Sequence, residues 1–206
     1  MFAFSIDKLI QAVIFFVHNT SPEKLGKVKL MKLLYYSDFW HMREYGRPII
    51  GDSYYKLENG PVPTLTLNLI SEAETCGNDK PDEEDLADTK NYVQKFKEAI
   101  NITIKDYYGQ RKLHFNPRIE FNPKVFSKSD LTIMEKVAKE FHDDNGGEIS
   151  EKSHKEIGWR ASDLFSLIDY RYALDQDSVD YYNYWDKAIN SFRAQLSTAK
   201  AKESFA

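Results

Sequence analysis

Asp38 and His41 stand three residues apart in the 206-residue chain, a spacing that places a carboxylate and an imidazole on neighbouring faces of one helix. A carboxylate orienting an imidazole is a working acid-base device, and with His154 close in space the three would make a hydrolase-type site. The same residues have a structural use: Ser37, Asp38 and His41 can tie a buried helix to the surrounding backbone as satisfied polar groups. That structural use is the expectation here. Among His18, His41, His114, His142 and His154, no two are four apart with a Glu between, so the metalloprotease pattern is absent. His142-Asp143-Asp144 precedes a Gly-rich turn in which solvated polar residues are expected. There is no Gly-rich phosphate loop and no Ser nucleophile motif. No metal site and no cofactor are expected.

Two other groups suit recognition better than catalysis. Lys24, Lys27, Lys29 and Lys32 form a basic run, which is either a solvated face or a docking patch for an acidic partner or an RNA phosphate. In the docking version Lys29 and Lys32 share a side and Tyr36, able to stack, lies close by. The chain also has thirteen tyrosines, with Tyr181, Tyr182 and Tyr184 in one stretch beside Trp185. On a final helix from Val179 to about Leu196, residues Val179, Tyr182, Trp185, Ile189, Phe192 and Leu196 gather on one apolar face. Tyr184 points about 130° away from that face and Tyr181 lies at its edge. Both are candidate partner contacts, since exposed Tyr is favoured at interfaces.

Composition sets bounds on these options. With 42% apolar and 29% charged residues the chain reads as one globular domain spanning 1–206, frayed over 197–206. A net charge of -4 opposes broad nucleic-acid binding, which needs a basic field. Cys76 is the single cysteine, so no internal disulfide forms, which fits a reducing cytoplasm. The early run AVIFFV is preceded by Asp7, Lys8 and Gln11, no small-residue cleavage site follows it, and no apolar stretch is long enough to span a bilayer.

The element expected to position the rest is a helix from Val28 to Tyr45. It has no Gly or Pro and is apolar on nearly every side, the pattern of a buried helix, with Gly46 placed for a left-handed cap and Pro48 beyond it. Before it, Ser5 caps a helix whose face carries Ile6, Leu9, Ile10, Val13, Ile14 and Val17, and Ser21-Pro22-Glu23 signals a short helical turn. After it, Ile49-Ile50 and Tyr54–Leu57 flank the turn residues Gly51-Asp52-Ser53 as a hairpin, closed by Asn59-Gly60-Pro61. Pro63 opens the next helix, with Leu65, Leu69, Ala73 and Cys76 on one side. The acidic run Asp82–Asp85 leads into one long helix from Leu86 to Tyr108, and Arg111–Phe126 is extended and turn-rich. Ser127 with Asp130 forms a capping box, Asp143–Gly147 is a break, and short helices are expected near Ile149–Lys155 and from Ser162 through Leu174. The fold class is mainly α: a single helical domain around a central buried helix with a small β-hairpin.

Several of these stretches resemble a known family. Lys29–Tyr36 (KLMKLLYY), Trp40-His41, Tyr45-Gly46 and Gly60-Pro61-Val62 are similar to the motifs of the Panacea (SocA-like) antitoxin domain of bacteria and phages, and Ser153-His154 with Trp159 resembles its later region. The resemblance covers residues 28–70 closely and about 125–165 loosely. It implies an all-helical, cytoplasmic, non-enzymatic antitoxin that binds a cognate toxin protein. It also marks Asp38, Trp40, His41, Gly46, Gly60, Pro61, Val62, His154 and Trp159 as family-motif structural positions.

Overall fold

A computed structural model describes residues 2–74, 86–107 and 109–175, with 179, 180, 183, 184, 187, 189 and 191 beyond them. Contacts divide the chain into two units, Met1–Ala173 and Leu174–Ala206. The first unit is mainly helical with two small antiparallel two-stranded sheets.

Helix α1 (Ile6–Asn19) begins at Ser5, whose hydroxyl accepts from the Lys8 N–H, and buries Leu9, Ile10, Val13 and Ile14. Phe15 and Phe16 are buried beside them. The Ser21-Pro22 signal makes one turn, closed by the Lys24 and Leu25 N–H groups on the Ser21 carbonyl. Helix α2 (Lys27–Tyr45) packs against α1, the first hairpin and two later helices, and its sides are buried from Lys29 through Phe39. Packing from several directions is what an apolar-all-round sequence requires. Leu30, Leu33 and Leu34 have no exposed surface, so truncating any of them to Ala costs about 2–5 kcal/mol. Gly46 ends α2 at φ +70°, returning its N–H to the Met42 carbonyl at 2.8 Å.

The first hairpin differs from the expected one. Strand β1 (Tyr54–Leu57) pairs with β2 (Gly60–Pro63), turning at Glu58-Asn59, while Ile49-Ile50 pairs with no strand among the described residues. The physical reason is competition for donors: the N–H groups of Ile49 and Ile50 bond the Asp38 carboxylate, 2.8 and 2.7 Å away. Asp52 is likewise no hairpin turn residue. It accepts the Leu65 and Thr66 N–H groups and the Thr66 hydroxyl, and so caps α3 (Thr64–Glu74). Cys76 and the acidic run lie outside the described residues.

The helix expected from Leu86 to Tyr108 stops at Ala99. Helix α4 (Leu86–Ala99) gives way at Ile100 to β3 (Ile100–Tyr107), which pairs with β4 (Gln110–Pro117) in a second hairpin turning at Gly109, φ +80°. Ile100 and Ile104 fit a helical spacing, but Ile100, Ile102 and Ile104 also alternate, and β-branched residues favour the pleated solution. The extended stretch from Arg111 is thus largely the partner strand of β3.

Helix α5 (Lys128–Glu140) starts with both halves of the Ser127–Asp130 capping box, and α6 (Gly146–Ser153) starts with another, Asn145–Glu148. The helix expected from Ser162 is not formed. Ser162 ends α7 (Ile157–Ala161), and the following residues run along β1, with Phe165 N–H to Lys56 O, Lys56 N–H to Ser166 O and Ile168 N–H to Tyr54 O. A single 3-10 turn, Tyr170–Ala173, follows. The expected last helix falls mostly outside the described residues.

Candidate functional site

Asp38 has no exposed surface, and its carboxylate gathers donors from three separate segments. Oδ1 takes the Ile49 and Ile50 N–H groups; Oδ2 takes the Gly51 N–H at 3.1 Å, the Tyr54 hydroxyl at 3.1 Å and the Tyr170 hydroxyl at 2.9 Å. Burial pushes the carboxyl above its ordinary value, and the hydrogen bonds from Ile50, Tyr170, Gly51 and Tyr54 pull it back. The group holds the loop after α2, strand β1 and the Tyr170 turn to one helix.

His41 is equally buried but serves another junction. Its Nδ1 donates to the Arg47 carbonyl at 2.7 Å, and Nε2 lies 3.0 Å from Ser129 Oγ and 3.1 Å from Asp130 Oδ1. Asp130 also receives Lys8 Nζ at 2.8 Å, Arg47 Nη2 at 2.7 Å and the Ser127 N–H at 3.1 Å. Burial alone would raise the Asp130 carboxyl, but the donors from His41, Lys8, Ser127 and Arg47 together hold it far below the usual carboxylate range. Asp38 and His41 therefore sit in separate networks, and His154 is in neither.

The later motif residues meet around Lys32. Its side chain is 1% exposed and donates to the Pro61 carbonyl at 2.8 Å, and burial lowers its pKa to about 7. Gly60 passes it at φ +97°, where a Cβ would come within 2.5 Å of Ser153 Oγ and 2.8 Å of Lys32 Cε. Pro61 and Val62 are buried in β2. His154 stacks on Trp159 at 4.2 Å, and Trp159 donates its indole N–H to the Leu57 carbonyl at 3.1 Å while Lys56 Nζ sits 4.3 Å from its ring centroid. His154 Nε2 is buried with no hydrogen-bond partner among the described residues, and burial together with the Lys32 charge keeps this imidazole below its ordinary pKa. Lys32, Gly60, Pro61, His154 and Trp159 thus join α2, the first hairpin and the α6–α7 region.

The basic run is corrected in part. Lys29 is fully buried, donates to the His142 carbonyl at 2.8 Å and is lowered by burial to about 8. With Lys32 also inside, neither lysine forms a solvated face or a surface docking patch; their aliphatic stems lie in the core and their ammonium groups reach backbone carbonyls. Tyr36 is 2% exposed and stacks on Phe141 at 4.4 Å, so it presents no platform to a partner. Trp40 packs beside that pair, with Arg43 and Lys136 over its ring. Tyr181 lies outside the described residues, and Tyr184 is 66% exposed. Among the described residues no three metal-ligating side chains gather, and no helix is long and apolar enough to cross a membrane.

Tyr170, Asp52 and the ionic role of Asp130 were not anticipated. Asp130 carried a local signal as a capping residue, but nothing in the sequence pairs it with Lys8 or Arg47.

This is a helical scaffold in which the motif residues Asp38 and His41 spend their hydrogen bonds on internal junctions. Residues 30–160 match the family Antitoxin SocA-like, Panacea domain, and the chain belongs to that family. No curated protein and no solved structure matched it.

Proposed function

We propose that this protein neutralises a cognate toxin in the cytoplasm by direct protein–protein contact, without catalysis. The family match over residues 30–160 carries this reading. It is supported by the disposition of the polar motif residues: Asp38 and His41, the pair best suited to acid-base work, spend their hydrogen bonds on backbone and neighbouring side chains inside the fold. The surface is then the working part. Tyr184, two-thirds exposed on the second unit, is one contact residue of that surface.

The test is co-expression with the product of the neighbouring reading frame. Growth should be arrested by that product alone and rescued by this chain, with a stable complex recoverable from the rescued cells. A harmless neighbour, or rescue by a variant that binds nothing, defeats the reading.

A further inference from the structure

The start of α2, the start of α6 and the β3–β4 hairpin enclose a cleft of about 1020 Å³. Its rim carries Lys24, Lys27, Arg111 and Lys112 against one carboxylate, Glu74, with the buried Lys29 behind them, in a chain whose net charge is -4. Lys27 is paired with Glu74 at 3.0 Å. Lys24 and Lys29 instead donate to the carbonyls of Asp143 and His142, which fix the ammonium groups without neutralising them. The acids nearest Lys29 are engaged elsewhere: Asp143 with His142, Asp144 with Lys152 at 2.7 Å, and Glu148 with the Asn145 N–H at 2.7 Å. Arg111 is exposed, and Asp106, opposite it in register, turns its carboxylate to the Gly109 N–H. Helix α2 also begins here at Gly26 without a side-chain cap, so the positive end of a long helix adds to the field. Two aliphatic side chains stand in this basic setting, Val28 at 44% exposure and Ile104 at 52%.

We propose that this cleft binds a segment of the toxin in which carboxylates alternate with aliphatic side chains, the acids meeting the cation rim and the aliphatics covering Val28 and Ile104. The proposal rests on the neutralisation reading above. Charge complementarity selects the acidic partner. Nucleic acid fits less well, because none of the described lining residues is aromatic and single strands are held largely by stacking on aromatic rings. The net negative charge of the chain also repels a polyanion.

The test compares the full chain with the Lys24→Glu/Arg111→Glu double variant, which leaves the Lys27–Glu74 pair and the buried lysines intact. Each is titrated at low and moderate salt with three probes: the neighbouring gene product, a fluorescein-labelled peptide of alternating Glu and Leu, and oligouridine. Toxin and peptide should bind the wild type, and the variant should bind both at least about tenfold more weakly, with a flatter salt dependence and an unchanged melting temperature. Toxin bound equally by both proteins overturns the cleft and leaves neutralisation standing. If the toxin does not bind the wild type, neutralisation falls and the peptide decides the cleft, an unbound peptide overturning it. Oligouridine bound more tightly than the peptide, and released by the variant, overturns the proposal in favour of nucleic acid. Should the double variant melt early, Lys24→Ala/Arg111→Ala is judged by the same outcomes.

Discussion

The Tyr170 hydroxyl donates to Asp38 Oδ2 at 2.9 Å across 132 positions of sequence, and the same oxygen lies 2.8 Å from the Asp52 carbonyl. One phenolic hydrogen is shared between the two acceptors, and the ring itself stacks on Phe39 at 4.8 Å. The contact joins the middle of α2 to a residue beyond the end of the family match at 160. The frame around Asp38 is thus closed by a part of the chain outside the matched domain.

Changing Asp38 to Ala strands backbone and hydroxyl donors in the interior and should cost about 3–5 kcal/mol in urea denaturation. Tyr170→Phe removes one of the donors and keeps the stacked ring, so about 1–2 kcal/mol is expected. An Asp38→Ala protein with full stability and no activity would show instead that Asp38 acts on a partner or substrate.

Lys32 gives a pH signature. It is held at about 7 in the fold against an ordinary 10.5, so between those values the unfolded chain carries the extra proton and stability rises with pH. Below about pH 7 the lysine is charged in both states and its contribution is flat, at its least favourable level. Lys29, held at about 8, adds a similar rise over a narrower window. Comparing unfolding free energies at about pH 6 and about pH 9, the wild type should gain stability relative to Lys32→Met by a few kcal/mol. An equal difference at both pH values contradicts the burial of this charge.

Gly60→Ala should be among the more damaging small substitutions. It combines a backbone at φ +97° with a Cβ within 2.5 Å of Ser153 Oγ, and a loss of about 2–4 kcal/mol follows. Gly109→Ala has φ +80° but nothing within 4 Å, so its cost should stay near about 1 kcal/mol. Thermal melts of the two variants side by side separate steric from conformational cost.

The parts legible in sequence were those fixed locally. Helix α2 announced itself by a stretch free of Gly and Pro and apolar on nearly every side, with a Gly46 cap, and α5 by the Ser127–Asp130 box. What failed was decided at long range. Ile49 and Ile50 look like a strand until the Asp38 carboxylate takes their N–H groups, and Ile100–Tyr107 satisfies a helical and a strand period at once until Gln110–Pro117 supplies a ladder. Lys29 and Lys32 mislead because charge ordinarily marks a surface, whereas here the backbone carbonyls of His142 and Pro61, distant in sequence, accept the buried ammonium groups.

Tyr184→Ala should weaken toxin binding by about 1 kcal/mol or more. Folding stability should change by no more than about 0.5 kcal/mol, as befits an exposed position. A melting curve and a binding titration on the same preparation give both numbers; unaltered affinity removes Tyr184 from the contact surface.

Direct neutralisation is tested most closely by calorimetric titration of the purified neighbouring gene product into this protein, alongside growth rescue by the same pair in cells. The account predicts saturable binding of micromolar affinity or tighter together with rescue. Rescue with no measurable heat of binding and no complex on gel filtration would contradict it.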